Sequence, residues 1–199
     1  NPQITLGSTL TNVAGNTFTH NSDDRLRIGG TLVNDGTIEM INTVSTNSSF
    51  RMDLGSSGLL HNNTGGLFVV RTGSNSQFVG SSQTNQIFDK DGTLEIESGA
   101  SLAVQTSVNL AQQNGTSLDG GTWNVAGVLD LDDFTSGIDT IASGTTVTLT
   151  DSGAISEMGN LQNVAGTFNV TGTQDYTPSG SAIALTGTIG GDGEVTADI

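Results

Sequence analysis

The feature that most constrains this chain is its alternation of single apolar and polar residues over runs of four to six, broken by glycine at short intervals. The stretch Gly92 to Leu131 shows it best. Leu94 and Ile96 alternate with Thr93, Glu95 and Glu97, Leu102 and Val104 with Ser101 and Gln105, and Leu129 and Leu131 with Asp130 and Asp132. Such alternation places the apolar side chains on one face of an extended strand. Ser98-Gly99, Asn114-Gly115, Gly120-Gly121 and Ala126-Gly127 separate the runs and supply the backbone freedom of tight corners. The runs are too closely spaced for helices, and the same grammar extends from Ile4 to Val195.

Strand-like runs return about every eight residues, a spacing that fits an all-β sandwich, barrel or solenoid. Internal repetition decides among them. Asn-Val-Ala-Gly occurs at Asn12–Gly15, Asn124–Gly127 and Asn163–Gly166, and Gly-Thr followed by an apolar residue occurs at Gly30, Gly36, Gly92, Gly121, Gly166 and Gly187. These are degenerate strand-turn units without a constant period, which suits coils that stack while their corner loops vary. The chain is 33% hydrophobic and 5% aromatic, thin material for a sandwich or jelly-roll core. The expectation is therefore one parallel β-helix (β-solenoid) domain over residues 1–199, with a β-sandwich or jelly roll as the alternative. At three strands per rung it has about eight rungs and a length of ~40 Å. Residues 42–49 and 73–77 read as loops leaving the regular path.

Charge constrains partners. The formal net charge is −15, which leaves little to neutralise phosphate and disfavours nucleic acid and membrane insertion. All five bases, Arg25, Arg27, Arg51, Arg71 and Lys90, lie within residues 1–90, where six acids leave that half near neutral. Residues 91–199 carry fourteen acids and no base. The absence of cysteine removes disulfides and thiolate metal sites. The opening Asn1-Pro2 suggests a processed product or an excised segment. Alternation that continues through Ile4 and Leu6 at one end, and Val195 and Ala197 at the other, suggests either missing flanking coils or head-to-tail pairing of copies into fibres.

The phrase Gly-Thr-Leu-x-Asn-x-Gly-Thr-Ile at Gly30–Ile38, and Gly-Thr-Phe-Asn-Val at Gly166–Val170, resemble the parallel β-helix passengers of bacterial autotransporters and haemagglutinin-like adhesins. The resemblance implies a right-handed coil and a bacterial secreted or cell-surface protein with a structural or adhesive, non-enzymatic role. It carries over no functional residue and no cofactor.

Parallel β-helix enzymes also cleave acidic polysaccharides, so a carbohydrate-binding or carbohydrate-cleaving protein is the rival reading. Its chemistry needs clustered carboxylates and a basic partner. Asp130, Asp132 and Asp133 form the best carboxylate group, but no base follows Lys90, and a solvated outward face between Leu129 and Leu131 accounts for them. Asp89-Lys90-Asp91-Gly92 is similar to the opening of a calcium loop, yet it lacks the third acid, and Glu95 is too close to serve as the distal ligand. These five aspartates are the calcium candidates. Gly190-Gly191-Asp192-Gly193 is similar to a single calcium-binding nonapeptide repeat, which alone builds no site. His20 and His61 stand near turns without a histidine partner and read as surface or corner residues. No Gly-x-Ser-x-Gly elbow occurs. Trp123 reads as packing, although an exposed copy would offer a sugar-stacking platform. Thr146, Thr148 and Thr150 form an outward threonine row, shared at most with Thr17–Thr19, too little for ice binding.

Overall fold

The computed structural model describes residues 4–21, 25–42, 51–73, 76–132, 134–180 and 182–196. It is an all-β solenoid of about seven turns, so the sandwich alternative falls and the expected eight rungs are slightly too many. Three faces stack in register, and among the described residues all but one of the strand pairs are parallel. The first face runs Ile4–Leu6, Leu26–Ile28, Arg51–Leu54, Gln77–Val79, Ser101–Val104, Val128–Leu131 and Ala154–Ile155. The second runs Thr9–Asn12, Thr31–Asn34, Leu59–Asn62, Gln86–Lys90 and Val108–Leu110. The third has eight strands: Thr17–His20, Thr37–Met40, Leu67–Val70, Thr93–Ile96, Thr122–Val125, Thr146–Thr150, Thr167–Thr171 and Thr188–Gly190.

Alternation works as the sequence predicts. Along the third face Ile38, Phe68, Leu94, Trp123, Val147 and Phe168 stack on one another inside the coil and are fully buried. Phe68 meets Phe88 at 5.6 Å between ring centroids, and Phe168 meets Tyr176 edge-on at 4.9 Å. Three of these six inward residues are aromatic, and dispersion along the stack replaces the broad core of a sandwich.

The second face is interrupted once. After Val108–Leu110 the chain folds into the single antiparallel pair, Gln113–Asn114 with Ser117–Leu118. Ser117–Leu118 then founds a new parallel sheet with Thr140–Ile141, Asn163–Val164 and Ala184–Leu185. The turn at Asn114-Gly115 is the hinge of this hairpin, with Gly115 at φ 64°.

Three expectations need correcting. A short 3₁₀ turn, Ser156–Asn160, follows Ala154–Ile155 and interrupts the helix-free grammar expected from Ile4 to Val195, and it buries Met158. His20 is buried at the end of its strand, its ring lying on the inward parity of the alternation. The outward threonines are not confined to one segment: Thr17, Thr37, Thr93, Thr122, Thr146, Thr167 and Thr188 occupy one column of the third face, broken only by Leu67. Asp133, Ala197 and residues 43–49 of the loop expected at 42–49 lie outside the described residues.

Candidate functional site

Polar chemistry concentrates where the second face turns into the third. Asn12, Asn34 and Asn62 occupy one register column there, and the next residue in that column is Lys90. The Asn12 amide donates to Asn34 Oδ1 at 2.7 Å and the Asn34 amide to Asn62 Oδ1 at 2.6 Å. Each asparagine also donates to a backbone carbonyl of the following coil: Asn12 to Thr37, Asn34 to Leu67 and Asn62 to Thr93. Lys90 continues the pattern with its ammonium, Nζ lying 2.9 Å from the Thr122 carbonyl and 3.2 Å from that of Gly92. Its side chain is fully buried, with Nζ 3.9 Å from the centroid of the Trp123 ring. Burial lowers the Lys90 pKa to about 7 against the opposing charge of Asp91, while the two carbonyls and the indole face favour the cation. Trp123 is packing, as expected, and its indole N–H donates to the Gly120 carbonyl.

Lys90 points inward, so its neighbours Asp89 and Asp91 are free to point out. Parallel register sets Asp89 beside His61 of the preceding coil. His61 Nε2 lies 3.3 Å from Asp89 Oδ2 and 3.7 Å from Asp91 Oδ2. The nitrogen is shielded from solvent yet aligned as a hydrogen bond with neither oxygen. The other carboxylate oxygens are held from the next coil, where the Gln112 amide donates to Asp89 Oδ1 at 2.9 Å and to Asp91 Oδ1 at 3.2 Å. Gln112 Oε1 in turn accepts the Lys90 backbone N–H at 2.7 Å. Gln112 can do this because the chain leaves the regular ladder after Leu110 to form its hairpin. Among the described residues, His61, Asp89 and Asp91 are the one group of donors close enough to surround a single ion.

The other calcium candidates sit two corners away and gather differently. Asp130 stands on the outward side of Val128–Leu131, between buried Leu129 and Leu131, and Asp132 is exposed just beyond. Glu157, from the 3₁₀ turn, comes back to Asp130 and accepts the Leu131 N–H at 3.0 Å. Burial, then the hydrogen bond and charge of Asp130, raise the Glu157 pKa to about 7 despite that N–H. Burial and Asp130 also raise Asp132. Glu157 and Asp132 thus resist ionisation, and no basic side chain among the described residues pairs with them. Sequence reading missed both His61 and Glu157, since each joins its partners only across a coil.

The remaining bases among the described residues are largely spent inside the fold. Arg71 bridges Glu39 at 2.7 Å and Glu97, spanning three successive coils, which raises its own pKa and lowers that of Glu39. Arg51 lies over the Phe78 ring at 5.6 Å, and Arg25 pairs with Asp53 at 4.0 Å. The near-neutral half is thus a half with internal ion pairs rather than a basic binding patch. No helix among the described residues is long and apolar enough to cross a membrane. Comparison with known protein families, curated proteins and solved structures finds no match to the chain.

Proposed function

We propose that this chain is a non-enzymatic structural or adhesive β-solenoid segment of a secreted or cell-surface bacterial protein. The observation that carries the reading is the third face, where eight stacked strands present an outward column of threonine. Its later coils add Asn124, Thr148, Thr150, Asn169 and Thr171, a surface of short polar side chains without charge. Short β-branched and amide side chains at fixed rung spacing form a flat hydrogen-bonding platform that loses little side-chain entropy on contact. Surface glycans are the fitting partner, and copies of the chain are a second one, since a near-neutral 1–90 half can meet an acidic 91–199 half with little repulsion. The test is retention of chain-coated beads on a glycan array. Retention is expected to fall when Thr148→Arg and Thr171→Arg are combined, with unchanged circular dichroism. Retention unaffected by that pair, and no filaments in electron micrographs, would remove the adhesive reading.

One observation favours the carbohydrate-cleaving alternative. Asp130 and Glu157 pair a carboxylate with a carboxyl held protonated up to about pH 7, beside a depression lined by Ser136, Asn160 and Ser179. Turnover of an acidic polysaccharide that vanishes in Glu157→Gln would establish it.

A further inference from the structure

We propose that His61, Asp89 and Asp91 bind one divalent transition-metal ion of the zinc class, with Gln112 as the residue that positions the two carboxylates. The proposal stands apart from the adhesive reading and holds or falls without it.

Donor chemistry selects the ion. Calcium surrounds itself with six to eight oxygens and has no preference for imidazole, whereas a nitrogen with two carboxylates suits zinc and its neighbours. Separation agrees. Ligands at the usual zinc distances occupy tetrahedral corners ~3.4 Å apart, and His61 Nε2 lies 3.3 and 3.7 Å from the two Oδ2 atoms. All three donor atoms fall within 4.8 Å of one another.

The orientation of the donors is a separate observation. Gln112 holds the Oδ1 atom of each aspartate, which leaves the Oδ2 atoms turned to the imidazole. A ligand shell fixed by hydrogen bonds from behind is the arrangement that raises metal affinity. Meanwhile His61 Nε2 is buried from solvent and forms no aligned hydrogen bond, so the geometry that would satisfy a simple histidine–aspartate pair is not the one adopted. The Lys90 ammonium does not oppose the ion at close range, because it points into the coil toward Thr122 and Gly92. Asp91 is exposed, and so an ion held there keeps its remaining positions open to water or to a donor group of a partner. Such an ion ties the coil of His61 to that of Asp89 and Asp91.

The experiment is isothermal titration of the full chain with zinc chloride and, separately, calcium chloride after chelator treatment. One zinc per chain is expected, with calcium at least ~100-fold weaker. His61→Ala should weaken zinc at least ~30-fold and Gln112→Ala ~10-fold, while Asp130→Asn should leave it within twofold. Circular dichroism checks that each variant folds, and Asp91→Asn, at an exposed corner, provides a second ligand deletion should His61→Ala unfold. Cobalt(II) gives a further readout through visible absorption bands that depend on the ligand set and disappear in the ligand variants. Absence of saturable zinc binding, binding that survives both ligand deletions, or calcium binding as tight as zinc would each overturn the proposal.

Discussion

Lys90 occupies the place that asparagine holds in the three preceding coils, and this substitution sets the pH response of the molecule. Its unfolded pKa is 10.5 and its folded pKa about 7, so between those values the unfolded chain binds the extra proton. Stability should therefore rise from pH 7 to pH 10, by roughly 5 °C in midpoint, and thermal melts of Lys90→Gln should be flat over that window. Above pH 10 the order reverses, because burial lifts the Tyr176 hydroxyl to about 12 and the folded state then keeps a proton that the unfolded state loses. The asparagine column itself makes a second prediction. Asn34→Ala removes the acceptor of the Asn12 amide and the donor to Asn62 Oδ1, both buried, and the donor to the part-buried Leu67 carbonyl. Unpaired buried amides should cost about 3 kcal/mol in urea unfolding; a loss below about 1 kcal/mol would mean that water replaces the ladder. None of this was legible as chemistry in the sequence. Asn34-Asp35-Gly36 reads as an ordinary corner and Asp89-Lys90-Asp91-Gly92 as a partial calcium-loop opening, and neither reading says that consecutive corners touch. The same limit concealed His61, whose carboxylate partners lie one coil away.

At the scale of corners and strands the sequence was far more explicit, because a glycine corner is a local demand. Gly36, Gly92, Gly121, Gly166 and Gly187, five of the Gly-Thr sites, stack at the turn into the third face. A Cβ on Gly92 would fall 2.2 Å from the Asn63 carbonyl oxygen of the coil before it. Two adjacent glycines test this. At Gly66 a Cβ would come within 2.3 Å of the Asn34 carbonyl oxygen, whereas Gly65 has nothing within 4 Å. Gly66→Ala should cost about 3 kcal/mol or more and Gly65→Ala no more than ~0.5 kcal/mol, measured by denaturant titration. The Asn-Val-Ala-Gly motif teaches the opposite lesson. Asn12 is buried and Val13 exposed, but Val125 and Val164 are buried and their asparagines are not. The three copies fall on different faces with opposite parity, so identical words carry different structure. The 3₁₀ turn escaped prediction because Ile155 and Met158 are a single apolar pair at helical spacing, too short a signal to stand out from the strand alternation around it. It also brings Glu157 to Asp130, giving a folded pKa of about 7 against 4.5. The folded state then holds a proton that the unfolded state has lost, so stability should fall as pH rises from 4.5 to 7. Glu157→Gln should abolish that fall in a series of melts.

For the whole molecule, stacking converts a linear charge pattern into a spatial one. Fourteen acids without a base follow Lys90, on coils whose strands lie ~4.8 Å apart, and like charges on successive rungs repel. Molar sodium chloride should raise the melting temperature by a few degrees through screening, and equal melting in low and molar salt would show that this repulsion is negligible. The fold class was legible because period-two alternation and corner glycines are local, and the loss of regularity in the second face was not, because the hairpin at Asn114-Gly115 looks like any other corner. Every one of these features rests on coils that stack in one fixed parallel register. The chain has no cysteine, so the register can be read by disulfide trapping. Thr148 and Asn169 are outward partners on adjacent strands of the third face. The double variant Thr148→Cys with Asn169→Cys is predicted to close an intramolecular disulfide rapidly under mild oxidation, since neighbouring strands bring Cα atoms within the ~4.4–6.8 Å that the bond needs. Thr148→Cys with Thr150→Cys, side by side along one strand and ~7 Å apart, should remain reduced. Failure of the first pair to close, or equal closure of both, would contradict the stacked register on which the site, the display face and the acidic half all depend.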